Sequence, residues 1–410
     1  MPVGDDQVSM LLYADDIVLL SESPYGLQQQ LNIVNTWMAN WYMTVNLDKS
    51  KVLHFRPKRT PKTIAKFYIG ISRLEVTDMY RYLGITFTDT VDYKITADLL
   101  AKASSRATSK VISLYYANKG LSWNVYSHIY NNLVGPVMDY ASAVWGFRRY
   151  GACDNVQRRA IRCFLGVGKK TPIPAMESDM GWYPPFVRHK VDIVRLWCRL
   201  CLMPEHRLVR RIFNWDCELA NNGVDTWAKD AGSVLQECGL LSLHSTRLLT
   251  SSIKWITDTV LQKSANNFTE QWTHDVAAMP KLHTFSQLAP TFQTAHYAKT
   301  LPRNLRTTIA RMRAGVLPLA IETGRWRGQP VEQRRCPVCP GQIVEDEFHF
   351  LCECPCYDPL RRQYLTPITG PNWPNQSRPE QLRELFCDQM VYNTSKFISE
   401  SYRKRSISFL

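Results

Sequence analysis

The chain has 410 residues with 50 Lys+Arg against 36 Asp+Glu, a formal net charge of +14. At 45% apolar and 21% charged it has globular composition, which excludes a largely disordered chain. No apolar run approaches the roughly 18 residues of a membrane-spanning helix, so no membrane partner is expected. The excess of basic residues points instead to a polyanion, most simply nucleic acid. The first residues show neither the basic start nor the apolar core of a secretory signal, so an intracellular chain is expected. At about 150 residues per domain, the length fits two or three domains.

In chain order, the apolar runs 8–13 and 17–20 flank Asp15-Asp16, a hairpin pattern with acidic residues at the turn. Asp5 and Asp6 are expected to cap the turn before it. Ser23-Pro24 supplies an N-cap and a proline at the first helical position. Leu27, Leu31, Val34, Met38 and Trp41 then predict one amphipathic helix over residues 24–42. Short strands are expected at 52–55, 67–69 and 82–87, with the basic, proline-bearing stretch 56–62 as a loop. From about residue 93 the pattern is helical. Ile95, Leu99, Ala103, Ala107, Val111 and Leu114 predict the buried stripe there. Lys102, Arg106 and Lys110 recur every fourth residue and share one face, either a solvated face or a nucleic-acid contact. Residues 166–174 and 181–185 are breaks, 186–280 are helical without a motif, and 279–302 read as a long connection.

Residues 303–335 carry eight arginines against two glutamates. A helix over 303–313 is expected with Leu305, Ile309 and Met312 inside. Arg306 and Arg313 on it are candidate phosphate contacts. The last 30 residues are expected to form one helix and a basic end.

Five of the twelve cysteines (336, 339, 352, 354 and 356) fall within 21 residues. In an intracellular chain such a cluster reads as metal ligands. Cys336-x₂-Cys339-x₉-His349-x₄-Cys354 is a four-ligand spacing for a closed, structural Zn²⁺ site. Cys352 and Cys356 are alternatives to Cys354. Asp346 and Glu347, close before His349, are expected either to orient its ring or to be solvated.

Adjacent carboxylates on a hairpin turn are either an ordinary turn or a site for two-metal nucleotidyl transfer, which holds two Mg²⁺ ions roughly 3.5–4 Å apart. Met10 to Leu20, with Tyr13-Ala14-Asp15-Asp16 at its centre, resembles the catalytic hairpin of reverse transcriptases from non-LTR (LINE-like) retrotransposons. Further blocks follow in the family's order. Residues 46–51 (NLDKSK) resemble its next palm motif, and residues 81–85 (RYLGI) its primer-grip block. Residues 136–146 and 157–166 resemble its thumb, and residues 315–324 with the Cys/His cluster its C-terminal end.

The resemblance implies an α+β fold: a partial palm (1–90), a helical thumb (91–166) and a helical connector (167–302). A basic helix with a CCHC zinc-knuckle-like module (303–366) and a tail (367–410) would follow. It implies Asp15 and Asp16 as Mg²⁺ ligands, with Lys49 near the incoming triphosphate or at the surface. Tyr13 would lie under the primer end, and Tyr82 and Gly84 would hold the primer strand. A glycine there serves a sharp turn or a close approach to the strand. The resemblance favours Cys354 as the fourth zinc ligand. The implied partners are an RNA template, a DNA primer and deoxynucleoside triphosphates, and the implied place of action is nuclear.

Only twelve residues precede Tyr13, where the family has fingers and a first palm strand bearing a further aspartate. The expectation is therefore a C-terminal portion of an RNA-directed DNA polymerase, inactive as this isolated chain. The alternatives are a non-catalytic nucleic-acid-binding protein and a decayed reading frame.

Overall fold

The computed structural model describes residues 2–4, 6–367, 369 and 373–407. Asp5, part of the Pro/Asn/Ser-rich stretch after 366 and the last three residues of the basic end lie outside them.

Among the described residues the strands lie in the first 88. Two-residue strands β1 (Pro2–Val3) and β2 (Asp6–Gln7) pair with each other, as do β3 (Met10–Tyr13) and β4 (Asp16–Leu19). After helix α1 (Pro24–Asn40) come β5 (Lys51–Leu53), β6 (Phe67–Ile69) and β7 (Ser72–Thr77), one sheet in the order β5-β7-β6. A second hairpin joins β8 (Met79–Tyr82) to β9 (Ile85–Thr88). The remainder is helical: α2 (Tyr93–Ala117), α3 (Trp123–Leu133), α4 (Gly135–Met138), α5 (Ser142–Trp145), α6 (Gly151–Leu165), α7 (Ile173–Met180) and α8 (Pro185–Leu202). Then follow α9 (Leu208–Asn221), α10 (Trp227–Glu237), α11 (Leu241–Thr246), α12 (Ile253–Ala277), α13 (His283–Leu288), α14 (His296–Thr300) and α15 (Arg303–Arg313). The chain closes with α16 (Ala320–Trp326), α17 (Asp358–Tyr364), α18 (Arg378–Leu385) and α19 (Val391–Ile407). The α+β expectation holds. Among the described residues no helix is long and apolar enough to cross a membrane.

The chain forms two compact units. The first comprises Met1–Ala101, Asp139–Ala152 and Arg188–Lys263; the second comprises Lys102–Met138, Cys153–Val187 and Ser264–Leu410.

In the first unit, the Ser23 side chain accepts from Gly26 N at 3.1 Å and starts α1. Leu27, Leu31 and Val34 of α1 pack on Val52, Phe67, Ile69 and Leu74 of the three-stranded sheet. Burying one such side chain stabilises by about 1.5–3 kcal/mol. Trp41, expected within the apolar stripe, is the helix C-cap and is 66% exposed. β7 was not anticipated, although Leu74 and Val76 alternate with Arg73 and Glu75 in the strand period. It runs parallel to β5 and antiparallel to β6. The stretch 82–87, expected as a single strand, instead spans the end of β8, a turn at 83–84 and most of β9. Leu83 (φ 46°) and Gly84 (φ 83°) form a two-residue turn with both residues left-handed. A second core of this unit gathers Trp197, Phe213, Ala228, Leu235, Ile256 and Val260 from α8, α9, α10 and α12.

In the second unit, Ser104, Thr108, Val111 and Tyr115 of α2 are fully buried. Leu114, expected inside, is 43% exposed, as is Leu99 (42%) earlier in the helix. The buried face is thus offset from the expected one, because small hydroxyl side chains fill it. Thr108 satisfies its own hydroxyl on Ser104 O at 2.9 Å. The stretch 279–302 is not a bare connection. It carries α13 and α14, and Phe285 and Phe292 join Phe268 and Trp272 in an aromatic core. The C-terminal end holds two helices, α18 and α19, where one was expected.

Candidate functional site

The acidic hairpin lies in the first unit, and helix α15 and the Cys/His cluster lie in the second.

Strands β3 and β4 pair with Tyr13 opposite Asp16, so the turn is Ala14-Asp15 and Asp16 begins β4. Ala14 adopts a left-handed φ of 53° to close it. The expected turn of Asp15-Asp16 is displaced by one residue. Both carboxylates are exposed at the hairpin tip, and Tyr13 is 62% exposed. Oxygen ligands so placed suit a hard cation with outer positions open to phosphate oxygens. Among the described residues, no group of three or more metal-ligating side chains includes either aspartate. Asp6 is described only through its backbone pairing with Val3.

Lys49 lies in a loop after α1, where its N–H donates to Asn46 Oδ1 at 3.1 Å. Its carbonyl accepts from Tyr80 Oη at 2.7 Å, so the loop is tied to β8 while the lysine is exposed. Tyr82 is half-buried at the end of β8. Gly84 makes a sharp turn. A Cβ there would also lie 2.8 Å from the Tyr140 ring, whose hydroxyl donates to Leu83 O at 2.9 Å.

Lys102, Arg106 and Lys110 are exposed along one face of α2. Arg159 of α6 donates to Ser105 O at 3.3 Å, Ser105 Oγ at 3.1 Å and Ser109 Oγ at 3.1 Å, which fixes a fourth cation beside them. Residues 99–138 contain no Asp or Glu to offset this charge.

Helix α15 behaves differently. Leu305, Ile309 and Met312 are buried as expected, but so are Arg306 (2% exposed) and Arg313 (7%). Arg306 donates to Phe164 O at 3.1 Å, Leu301 O at 3.4 Å and Tyr115 Oη at 2.7 Å, with its guanidinium 3.7 Å from the Phe164 ring centre. Arg313 pairs with Asp179 at 2.9 Å. These two arginines hold helices together and do not face a phosphate backbone, because their planar forks match buried carbonyl and carboxylate acceptors.

The Cys/His cluster is built from a tight Cys-Pro-Val-Cys loop and a short π-helical turn, His349–Glu353. Cys336 N donates to Ile343 O at 2.8 Å and Glu345 N to Arg334 O at 2.9 Å, which closes the loop. Asp346 Oδ1 accepts from His349 N at 2.7 Å and starts the turn, and Cys354 N returns to His349 O at 2.8 Å. The ligand atoms of Cys336, Cys339, His349 and Cys354 lie within 4.8 Å of one another, and all four residues are buried.

The edges of the group fit a metal. Cys336 Sγ lies 3.9 Å from Cys354 Sγ, and Cys339 Sγ lies 3.5 Å from His349 Nε2. A tetrahedron with Zn–S about 2.3 Å and Zn–N about 2.05 Å has S···S edges of about 3.8 Å and S···N edges of about 3.6 Å. The hydrogen bond with Cys354 draws the Cys336 thiol well below its ordinary range. Cys352 and Cys356 lie outside the group. Burial pushes the Cys352 thiol up to about 12, and Cys356 Sγ donates to Val338 O at 2.9 Å.

The surroundings of the histidine differ from expectation. Asp346 serves its backbone, and Glu347 accepts from Thr284 Oγ1 at 3.2 Å. The carboxylate facing the ring is Glu353, whose Oε2 lies 3.6 Å from a buried Nδ1 that has no hydrogen-bond partner. Glu353 in turn binds Arg378 at 2.6 Å. Sequence reasoning also missed Glu345, fully buried beside Cys336.

Residues 3–87 match the reverse transcriptase (RNA-dependent DNA polymerase) family. Over 150 residues the chain is 25% identical to the RNA-directed DNA polymerase from mobile element jockey of Drosophila melanogaster. That alignment covers 35% of this chain and 16% of the relative, so the chain spans a minor part of the relative's length. No solved structure matches the chain.

Proposed function

We propose a function from one premise: the chain is a reverse-transcriptase-related protein of the non-LTR retrotransposon kind. Within it, the β3–β4 hairpin is the carboxylate-bearing part of an RNA-directed DNA polymerase. The observation that supports this is the pair Asp15 and Asp16, exposed side by side at a hairpin tip inside the region that matches the family. Bound Mg²⁺ would supply activation of the primer hydroxyl and charge stabilisation at the leaving pyrophosphate. Asp15 and Asp16 hold and orient; Tyr13 supports the primer end. Lys49 offers a cation to the triphosphate, and Tyr82 with the Gly84 turn positions the primer strand. Positioning and electrostatic stabilisation supply most of the rate in this chemistry. The proposed division of labour follows sequence order: palm 1–90, thumb 91–166, connector 167–302, Cys/His module 303–366 and tail 367–410. RNA template, DNA primer and deoxynucleoside triphosphates are the proposed partners, and the nucleus the proposed place of action.

The Cys336, Cys339, His349 and Cys354 group fits a structural Zn²⁺, since four protein ligands leave no open position for a substrate.

The test is Mg²⁺-dependent primer extension by the purified chain on an RNA template. Among the described residues no third metal-ligating side chain joins Asp15 and Asp16, so we expect no synthesis from the chain alone. Template-dependent synthesis abolished by Asp15→Asn would overturn the inactivity and establish the polymerase. A second reading, nucleic-acid binding without catalysis, is favoured by the exposed Lys102, Arg106, Lys110 and Arg159 surface. Its test is binding of a labelled primer–template duplex across a salt series.

A further inference from the structure

The last helix is tied to the Cys/His cluster through one buried carboxylate. Glu345 is 0% exposed, and its Oε1 lies 3.6 Å from Cys336 Sγ. Both of its oxygens are taken by Arg405 of α19, through Nη1 to Oε1 and Nη2 to Oε2 (the latter 2.8 Å). Glu345 Oε2 also accepts from Ala320 N at 2.6 Å, at the start of α16. Arg405 itself is only 7% exposed.

Two further contacts seat α19 on the same module. Phe397, fully buried, meets Phe350 and Tyr357 with ring centres 6.0 and 6.5 Å apart. Lys404 Nζ donates to Cys356 O at 3.1 Å. Both aromatic partners lie in the segment that carries His349 and Cys354.

The charges explain why this matters. A divalent cation held by three thiolates and a neutral imidazole leaves the centre with one net negative charge. A buried carboxylate 3.6 Å from one of those sulfurs adds repulsion in a low-dielectric setting. Arg405 is the cation seated on that carboxylate, and it is delivered by a helix distant in sequence. We infer that Arg405 is a positioning residue of the metal centre: by neutralising Glu345 beside Cys336, it couples metal loading to the seating of the C-terminal helix α19. Coupling of this kind is reciprocal, so loading holds α19 in place and loss of α19 weakens loading. This rests on the reading of the cluster as a Zn²⁺ site.

The experiment measures Zn²⁺ affinity of the full chain by competition with a chromophoric chelator, and hydrogen exchange of the α19 amides with and without Zn²⁺. Arg405→Gln should weaken Zn²⁺ binding on the order of 10- to 100-fold, the range for residues that support metal ligands. The double variant Glu345→Gln with Arg405→Gln removes both charges and should regain most of the affinity. Chelation of the unaltered chain should speed exchange across α19. A merely structural Arg405 predicts unchanged affinity in Arg405→Gln, or a double variant as weak as the single, and either result overturns the coupling alone. If the unaltered chain takes up no Zn²⁺, the metal-centre reading falls and the coupling with it.

Discussion

Arg313 grips Asp179 inside the second unit, with Nη2 2.9 Å from Oδ1 and Nε 3.2 and 3.3 Å from the two carboxylate oxygens. Tyr297 Oη donates to the same carboxylate at 2.7 Å. Asp179 is 2% exposed, so removing the arginine leaves a buried carboxylate with, among the described residues, the Tyr297 hydroxyl as its remaining side-chain partner. Arg313→Met should therefore cost about 3–5 kcal/mol of stability, measured by urea unfolding. Arg106→Met on the exposed face of α2 should stay within about 0.5 kcal/mol. Equal effects would refute the structural role given to Arg313.

The same pair shows why part of the molecule was not legible in the sequence. Arginine on an amphipathic helix ordinarily marks the wet side, yet Arg306 and Arg313 follow Leu305 and Met312 directly and turn inward with them. Their partners, Phe164 O and Asp179, lie far away in sequence, so no local signal announces them. The buried face of α2 was misplaced for a related reason: Ser104 and Thr108 look polar but fit a tight interface. The β8–β9 turn was hidden because Leu83 and Gly84 interrupt the apolar pattern by only two residues. The Cys/His cluster was legible because its spacing is itself local, with Cys336, Cys339, His349 and Cys354 all within residues 336–354. The β3–β4 hairpin was legible from its two short apolar runs.

Ligand choice within the cysteine cluster is testable one thiol at a time. Cys354→Ser should abolish tight Zn²⁺ uptake, because it removes one corner of the group. Cys352→Ser and Cys356→Ser should each retain one bound ion per chain, measured by elemental analysis after dialysis. Retention in Cys354→Ser with loss in Cys352→Ser would reassign the ligand.

Nucleic-acid binding by the α2 face should be steeply salt-dependent. Each phosphate contact removed should lower the slope of log affinity against log salt by about 0.9 on duplex DNA. Substituting Lys102, Arg106 and Lys110 by alanine, measured between 50 and 200 mM salt, should flatten that slope while leaving the urea midpoint nearly unchanged. An unaltered slope would return these three residues to a plain solvated face.

The Leu83-Gly84 turn makes opposite predictions at its two positions. Gly84→Val places a β-branched side chain at φ 83° and against the Tyr140 ring. The backbone strain alone costs about 1–2 kcal/mol, and displacement of Tyr140 adds to it. Leu83→Asn supplies the residue preferred at the first position of such a turn and removes a leucine that is already 41% exposed. It should raise stability by about 0.5–1 kcal/mol. Urea titration of both variants settles the signs.

The β3–β4 hairpin also governs how the protein behaves in a tube. Strands β3 and β4 hydrogen-bond to each other, and among the described residues no further strand joins them. Met10, Leu12, Tyr13 and Ile17 on it are all exposed. Such a ribbon is adhesive, since its outer backbone groups accept any extended chain that drifts alongside. Concentrated preparations should stick together through this element first, and a lysine at Leu12 should keep them clear.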